Sequence, residues 1–167
     1  MKEKTTTCPA CSKKKLIVVE VPYEIPYFGK VRFLTMNCTN CKYRKNEVET
    51  EGKRKPAKYR IEIGSPEDLS IRVVKDSQAT VSIPGVIKVE SSPASNGYIT
   101  NIEGVLIKLK NAISFAESDL EDESMKKKAR VLEKKIDDAI KGKEKLVLEI
   151  DDIAGNSAII SDKAERS

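Results

Sequence analysis

All four cysteines of this 167-residue chain fall into two Cys-x-x-Cys pairs, Cys8 with Cys11 in CPAC and Cys38 with Cys41 in CTNC, separated by 26 residues. Structural zinc needs four soft ligands in a tetrahedron. Two short knuckles, each presenting two thiolates on a tight turn and joined by a longer excursion, meet that need. A thioredoxin-like redox site uses a single Cys-x-x-Cys and has no use for a second pair. A disulfide framework belongs to an oxidising compartment, and no apolar run follows Met1 that would serve as an export signal. The spacing therefore predicts one zinc ion on Cys8, Cys11, Cys38 and Cys41.

That zinc is expected to be structural. A catalytic zinc keeps one coordination position open, and four cysteines fill all four. The chain also has no histidine, which removes the commonest general base. Four thiolates and one zinc sum to minus two, taking the formal charge from +5 to about +3. Lys13, Lys14, Lys15, Lys42 and Arg44 flank the knuckles, where they offset that negative charge.

The length allows one sizeable core, or a small metal-held unit plus an ordinary domain. No apolar stretch approaches the roughly 20 residues that span a bilayer, so a soluble cytoplasmic protein without membrane contact is expected. Charged residues make up 34% of the chain, with both signs interspersed, and mark no obvious nucleic-acid stripe.

Along the chain, LIVVEV (16–21) and KVRFLTMN (30–37) are β-rich and enclose the turn-prone PYEIPYFG. With YRKNEVE (43–49) as a third strand, they predict a zinc ribbon over 1–51. So small a unit has little apolar core, and its metal supplies much of its folding energy, on the order of 10 kcal/mol in zinc-finger peptides. Residues 52–58, polar and containing Pro56, read as a linker.

From Tyr59 the pattern changes to short alternating segments, YRIEIG, IRVVK, ATVSIPGVIKVE and GYIT, interrupted by the helix-start signal SPEDL at 65–69. Residues 103–118 switch period and place Val105, Leu109, Ala112, Ile113 and Ala116 on one helical face. After acidic SDLEDES, the residues Met125, Ala129, Leu132, Ile136 and Ala139 form the seam of a second helix, which Gly142 can end. KLVLEID (145–151) then resumes strict alternation, and GNSAIIS gives a turn and a last strand. The pattern predicts a mainly β domain over 59–161 with a helical-hairpin insertion at about 103–142, and a tail over 162–167.

The ordered set Ile25, Pro26, Tyr27, Phe28, then Cys38, Cys41, Tyr43, Arg44, Asn46, Glu47 and Val48 resembles the ZPR-type zinc-finger family. Downstream matches are Asp68-Leu69, Val73-Val74-Lys75, TVSIP at 80–84, Glu103-Gly104, and Gly155-Asn156-Ser157 after Asp152. The resemblance covers roughly residues 8 to 160. Ser12 and Lys42 stand where the family commonly carries glycine, Ile153 replaces a proline, and Ile71 lies where an arginine is common, with Arg72 beside it. Eukaryotic relatives carry two copies of the module; this chain has one and is similar to the archaeal single-module form.

The resemblance implies a zinc ribbon joined to a double-stranded β-helix, or jelly-roll-like, domain carrying a helical hairpin. It also implies a function: binding of translation elongation factor 1-alpha as a folding chaperone. Composition and spacing show no feature of an enzyme, so neither enzymatic activity nor a small-molecule substrate is expected. Candidate partner-binding residues are Tyr27 and Phe28 in the Pro-containing loop, where adjacent large aromatics do not both fit a small core. Arg44, Asn46 and Glu47 beside the zinc, and the turn-rich corner Asp151, Asp152, Gly155, Asn156 and Ser157, complete the set. Two alternatives stay open. One is a nucleic-acid-binding zinc ribbon using the knuckle lysines and Tyr23, Tyr27, Phe28 and Tyr43. The other is an enzyme built on carboxylates such as Glu90, Glu103 or Asp152, which nothing spaces convincingly.

Overall fold

The computed structural model describes residues 1–26, 28–50 and 55–167. The N-terminal unit is a four-stranded antiparallel sheet in the order β1-β2-β3-β4, formed by Lys2–Thr6, Leu16–Ile25, Gly29–Cys38 and Arg44–Thr50. β2 and β3 pair along their whole length, from Leu16 opposite Cys38 to Ile25 opposite Gly29. Because the register is unbroken, the ribbon has two distinct ends. At one, Leu16, Val18 and Leu34 pack with Cys8 and Cys38 into a small cluster. At the other, Ile25, Val31 and Val48 pack with Val74 from beyond the ribbon.

The rest of the chain forms two antiparallel sheets around one core. The five-stranded sheet runs β12-β5-β10-β7-β8, with β5 at Ala57–Ile63, β7 at Thr80–Ile83, β8 at Ile87–Val89, β10 at Leu146–Asp152 and β12 at Glu165–Arg166. The three-stranded sheet runs β11-β6-β9, from Ala158–Ile160, Arg72–Lys75 and Tyr98–Asn101. Alternation in β5 and β10 turns Tyr59, Ile61, Ile63, Leu146, Leu148 and Ile150 inward, where they meet Val73 and Ile159 of the smaller sheet. A buried side chain such as Leu148 contributes about 2–5 kcal/mol against truncation to alanine.

Two helices, α1 (Ile102–Ser118) and α2 (Glu123–Ile140), carry the chain from the small sheet to the large one. Asn101 caps α1, its Oδ1 accepting from the Gly104 N–H at 2.9 Å, and Asp122 caps α2 through the N–H groups of Ser124 and Met125. At Gly104 an added Cβ would lie 2.1 Å from the Thr100 hydroxyl oxygen, so any larger residue would require the Thr100 side chain to turn away. Gly142 ends α2 with φ +69°. The inward face of α1 is Ile102, Val105, Leu106, Leu109 and Ile113, and α2 adds Ala129, Ile136 and Ala139. Lys110 with Asp137, at 2.7 Å, and Arg130 with Glu117, at 2.8 Å, link the helices.

Some expectations change. Ala116 and Met125 are exposed, because the tip of the hairpin projects beyond the core. β1, polar and without apolar alternation, was not among the expected strands; it adds to β2 through backbone pairing alone. Within the expected linker, residues 52–54 lie outside the described set, while Ala57 and Lys58 already belong to β5. The expected tail over 162–167 is not free: Glu165 and Arg166 pair with Arg60 and Tyr59, and the N–H of Ser167 donates to the Lys58 carbonyl at 3.0 Å.

Candidate metal centre and the ribbon junction

The two knuckles share one backbone design. The Ser12 N–H donates to the Cys8 carbonyl at 2.9 Å and the Lys42 N–H to the Cys38 carbonyl at 3.1 Å. Likewise the Cys8 N–H reaches the Lys13 carbonyl at 2.9 Å and the Cys38 N–H the Tyr43 carbonyl at 2.8 Å. The tight return requires a left-handed residue directly after each second cysteine, and Ser12 (φ 56°) and Lys42 (φ 62°) occupy it. Glycine adopts this conformation without the Cβ penalty of about 1–2 kcal/mol, a cost that Ser12 and Lys42 each carry here.

All four sulfurs lie within 4.8 Å of one another. Cys8 Sγ is 3.7 Å from Cys41 Sγ, and Cys11 Sγ is 3.8 Å from Cys38 Sγ. Tetrahedral Zn–S bonds of about 2.3 Å set sulfurs about 3.8 Å apart, the separation of these two pairs, so the four sulfurs form a cage of the size that zinc needs. The electrostatics point the same way. The backbone N–H of Cys41, with that of Asn40, holds the Cys38 thiol below its ordinary value, outweighing burial. Cys41 is pushed up: the Tyr43 N–H favours its thiolate, but burial and the neighbouring Cys11, Cys38 and Cys8 sulfurs prevail. Four adjacent thiolates need a cation between them, and one zinc ion bound by the four cysteines leaves no open position for chemistry.

At the opposite end of the ribbon the corner expected to meet a partner does something else. Asp152 is fully buried; its Oδ1 accepts from the Ala154 N–H at 2.8 Å and its Oδ2 from the Ser157 N–H at 2.5 Å. Ser157, also fully buried, accepts through Oγ from the Asp76 N–H at 2.9 Å. Asn156 donates from Nδ2 to Asp76 Oδ2 at 3.1 Å, and its Oδ1 accepts from the Thr50 hydroxyl of β4 at 2.6 Å. Gly155 is buried with φ +75°. These residues fold the 152–157 loop and tie it to the ribbon; of the expected corner only Asp151 is exposed.

The junction has a second seam. The Asn46 N–H donates to Asn96 Oδ1 and the Gly97 N–H to the Asn46 carbonyl, both at 2.8 Å. A Cβ on Gly97 would meet Val48 N at 3.0 Å and the Lys75 carbonyl oxygen at 3.2 Å. Lys75 is buried against this seam, its Nζ 3.4 Å from the Asn96 carbonyl, and burial lowers its pKa despite Asp76 and Asp152. Phe28 is half-buried and packs on both the main core and the junction cluster, and Glu47 pairs with Lys45 at 2.9 Å. Arg44 is exposed and Asn46 half-buried; Tyr27 lies outside the described residues. The carboxylates considered for catalysis are dispersed: Glu90 pairs with Lys88, Glu103 is exposed in the first turn of α1, and Asp152 is locked in its loop. Sequence reading missed Thr50, Asp76, Asn96 and Gly97; of these only Asp76 carried a signal, the polar KDS run at 75–77 after an apolar strand.

Comparison with known proteins matches both halves. A family model of the ZPR1 zinc-finger domain matches residues 2–56, and one of the ZPR1 jelly-roll domain matches residues 67–167. An uncharacterised ZPR1-like protein of Methanocaldococcus jannaschii is 36% identical over 95% of this chain and 81% of its own. The zinc finger protein ZPR1 of Mus musculus is 30% identical over 91% of this chain and 34% of its own. A Schizosaccharomyces pombe protein named as a zinc finger chaperone is 31% identical over 95% of this chain and 35% of its own. The chain therefore spans most of an archaeal relative and about a third of the eukaryotic ones. This protein belongs to the ZPR1 family.

Proposed function

We propose that the protein binds translation elongation factor 1-alpha in the cytoplasm and acts as its folding chaperone, through binding surfaces and without catalysis of its own. The carrying observation is where large apolar side chains remain exposed. Phe115 is 74% exposed, and Ile107, Met125 and Val131 are also exposed on the same helical hairpin. Exposed apolar and aromatic anchors on a rigid element are what capture of a partly folded protein requires. The name of the fission-yeast relative is in keeping with this reading. The unpaired cysteines suit a reducing compartment, and among the described residues no helix is long and apolar enough to cross a membrane.

The test is a titration of the zinc-loaded protein against purified elongation factor 1-alpha, nucleotide-free, GDP-bound and GTP-bound, and against the same factor diluted from denaturant. Binding that is strongest for the non-native or nucleotide-free factor, and weakened at least tenfold by Phe115→Ala, supports the proposal. Absence of binding in every state refutes it.

A further inference from the structure

The formal charge of +5 is not spread over the molecule. Residues 1–50 hold ten Lys or Arg against five Asp or Glu, while residues 51–167 balance at twenty-one of each. Within the ribbon, no acidic residue occurs between positions 4 and 19 or between 25 and 46. The fold sharpens this asymmetry. Glu20 and Glu49 are held by Arg32, at 3.5 and 2.9 Å, and Glu47 by Lys45 at 2.9 Å. Lys13, Lys14, Lys15, Lys42 and Arg44 come from two knuckles 26 residues apart, and the shared sulfur cage brings them to one end. All five are exposed, and among the described residues none has a carboxylate within ion-pair distance. They outnumber the two net negative charges of a four-thiolate zinc centre. Lys42 moreover takes a left-handed backbone conformation that glycine would occupy at less cost.

We propose that the knuckle end of the ribbon is a nucleic-acid surface that grips the phosphate backbone. Among the described residues, no large apolar side chain is exposed at this end to serve as the anchor of a protein interface. Tyr43, the aromatic of the second knuckle, packs into the ribbon cluster and is not displayed for stacking on bases. Exposed lysines without an aromatic partner recognise phosphates and not sequence, and their affinity comes from counterion release. The sulfur cage and the Val74 contact lie at opposite ends of the ribbon, and the seam at Asn46 and Gly97 leaves all five basic side chains exposed in the folded protein.

The experiment measures binding of the full-length, zinc-loaded protein to a labelled RNA duplex by fluorescence anisotropy across a salt series. The comparison is between Lys14→Gln/Lys15→Gln/Lys42→Gln and a variant of equal charge change on α2, Lys127→Gln/Lys128→Gln/Lys134→Gln. Zinc content and melting temperature verify that both variants are folded. The expected result is a salt slope that falls by about 3 in the knuckle variant, one for each lysine removed, with affinity reduced at least tenfold and the α2 variant within twofold of the parent. Equal losses in both variants, no loss in the knuckle variant, or no binding even at low salt would overturn the proposal. So would displacement of the duplex by a polyglutamate peptide at equal charge concentration, which would assign the surface to an acidic protein instead.

Discussion

The hydroxyl of Thr50, at the end of the ribbon, donates a 2.6 Å hydrogen bond to the side-chain oxygen of Asn156, 106 residues further along the chain. Through Asn156 the bond continues to Asp76, and the Asp76 N–H continues it to Ser157. A corner that in sequence resembles a binding motif is thus the clasp between the two units. Breaking it leaves polar groups unpaired in a partly buried place. Asn156→Ala is expected to cost about 2–3 kcal/mol and Thr50→Val about 1–2 kcal/mol. A double-mutant cycle by denaturant unfolding should return a coupling of at least about 0.5 kcal/mol; strict additivity would show that the bond does not form in solution.

Gly97 makes the second seam possible by its lack of a side chain. A Cβ there would lie 3.0 Å from the backbone nitrogen of Val48 and 3.2 Å from the Lys75 carbonyl oxygen, neither of which is a flexible group. Gly97→Ala should push β4 away from β9 and destabilise the protein by about 1–3 kcal/mol, raising amide exchange at Asn46 and Gly97. A variant as stable as the parent would mean that the seam is looser than described.

Removal of the metal should act unevenly along the ribbon. The cluster of Leu16, Val18 and Leu34 includes the zinc cysteines, whereas Ile25, Val31 and Val48 are anchored by Val74 of the jelly roll. After chelation, or in Cys38→Ser, amides of the knuckles and of β2 and β3 beside them should exchange first, and those near Val31 and Val48 last. Simultaneous loss of protection through the whole chain would contradict this and show a single cooperative unit.

Asp68 provides a pH signature. Its buried carboxylate accepts from Lys163 at 2.6 Å and from the N–H groups of Gly64 and Ser65 at 3.0 Å, which lowers its pKa to about 2. A depressed pKa stabilises the fold above the unfolded value, and that stability is lost as pH falls from about 4 toward 2. Asp68→Asn should therefore cost about 1–3 kcal/mol at neutral pH and much less at pH 2. A penalty independent of pH would show that the charge of Asp68 plays no part.

The zinc centre was legible because its information is local: Cys-x-x-Cys fixes two ligands on one turn, and the second pair completes the tetrahedron. The hairpin was legible through its helical period, at Val105, Leu109 and Ile113 on one helix and Ala129, Ile136 and Ala139 on the other. Met125 and Ala116 carried the same period but lie where the hairpin outruns the core, and periodicity does not record where a helix stops being covered. β1 and β12 are polar strands held by backbone pairing, so their side chains announce nothing. The junction was hidden for another reason. Thr50, Asp76, Asn96 and Asn156 are individually ordinary turn and strand residues, and only the folded topology brings their polar atoms within bonding distance.

The measurement that bears most directly on the proposed function is the yield of GTP-binding elongation factor 1-alpha recovered from denaturant with and without the zinc-loaded protein. Phe115→Ala serves as the surface control and Cys38→Ser as the metal control. A yield that rises several-fold with the intact protein, and falls back with either variant, is the predicted result. An unchanged yield, or an equal rise with an unrelated zinc-ribbon protein, would contradict a dedicated chaperone.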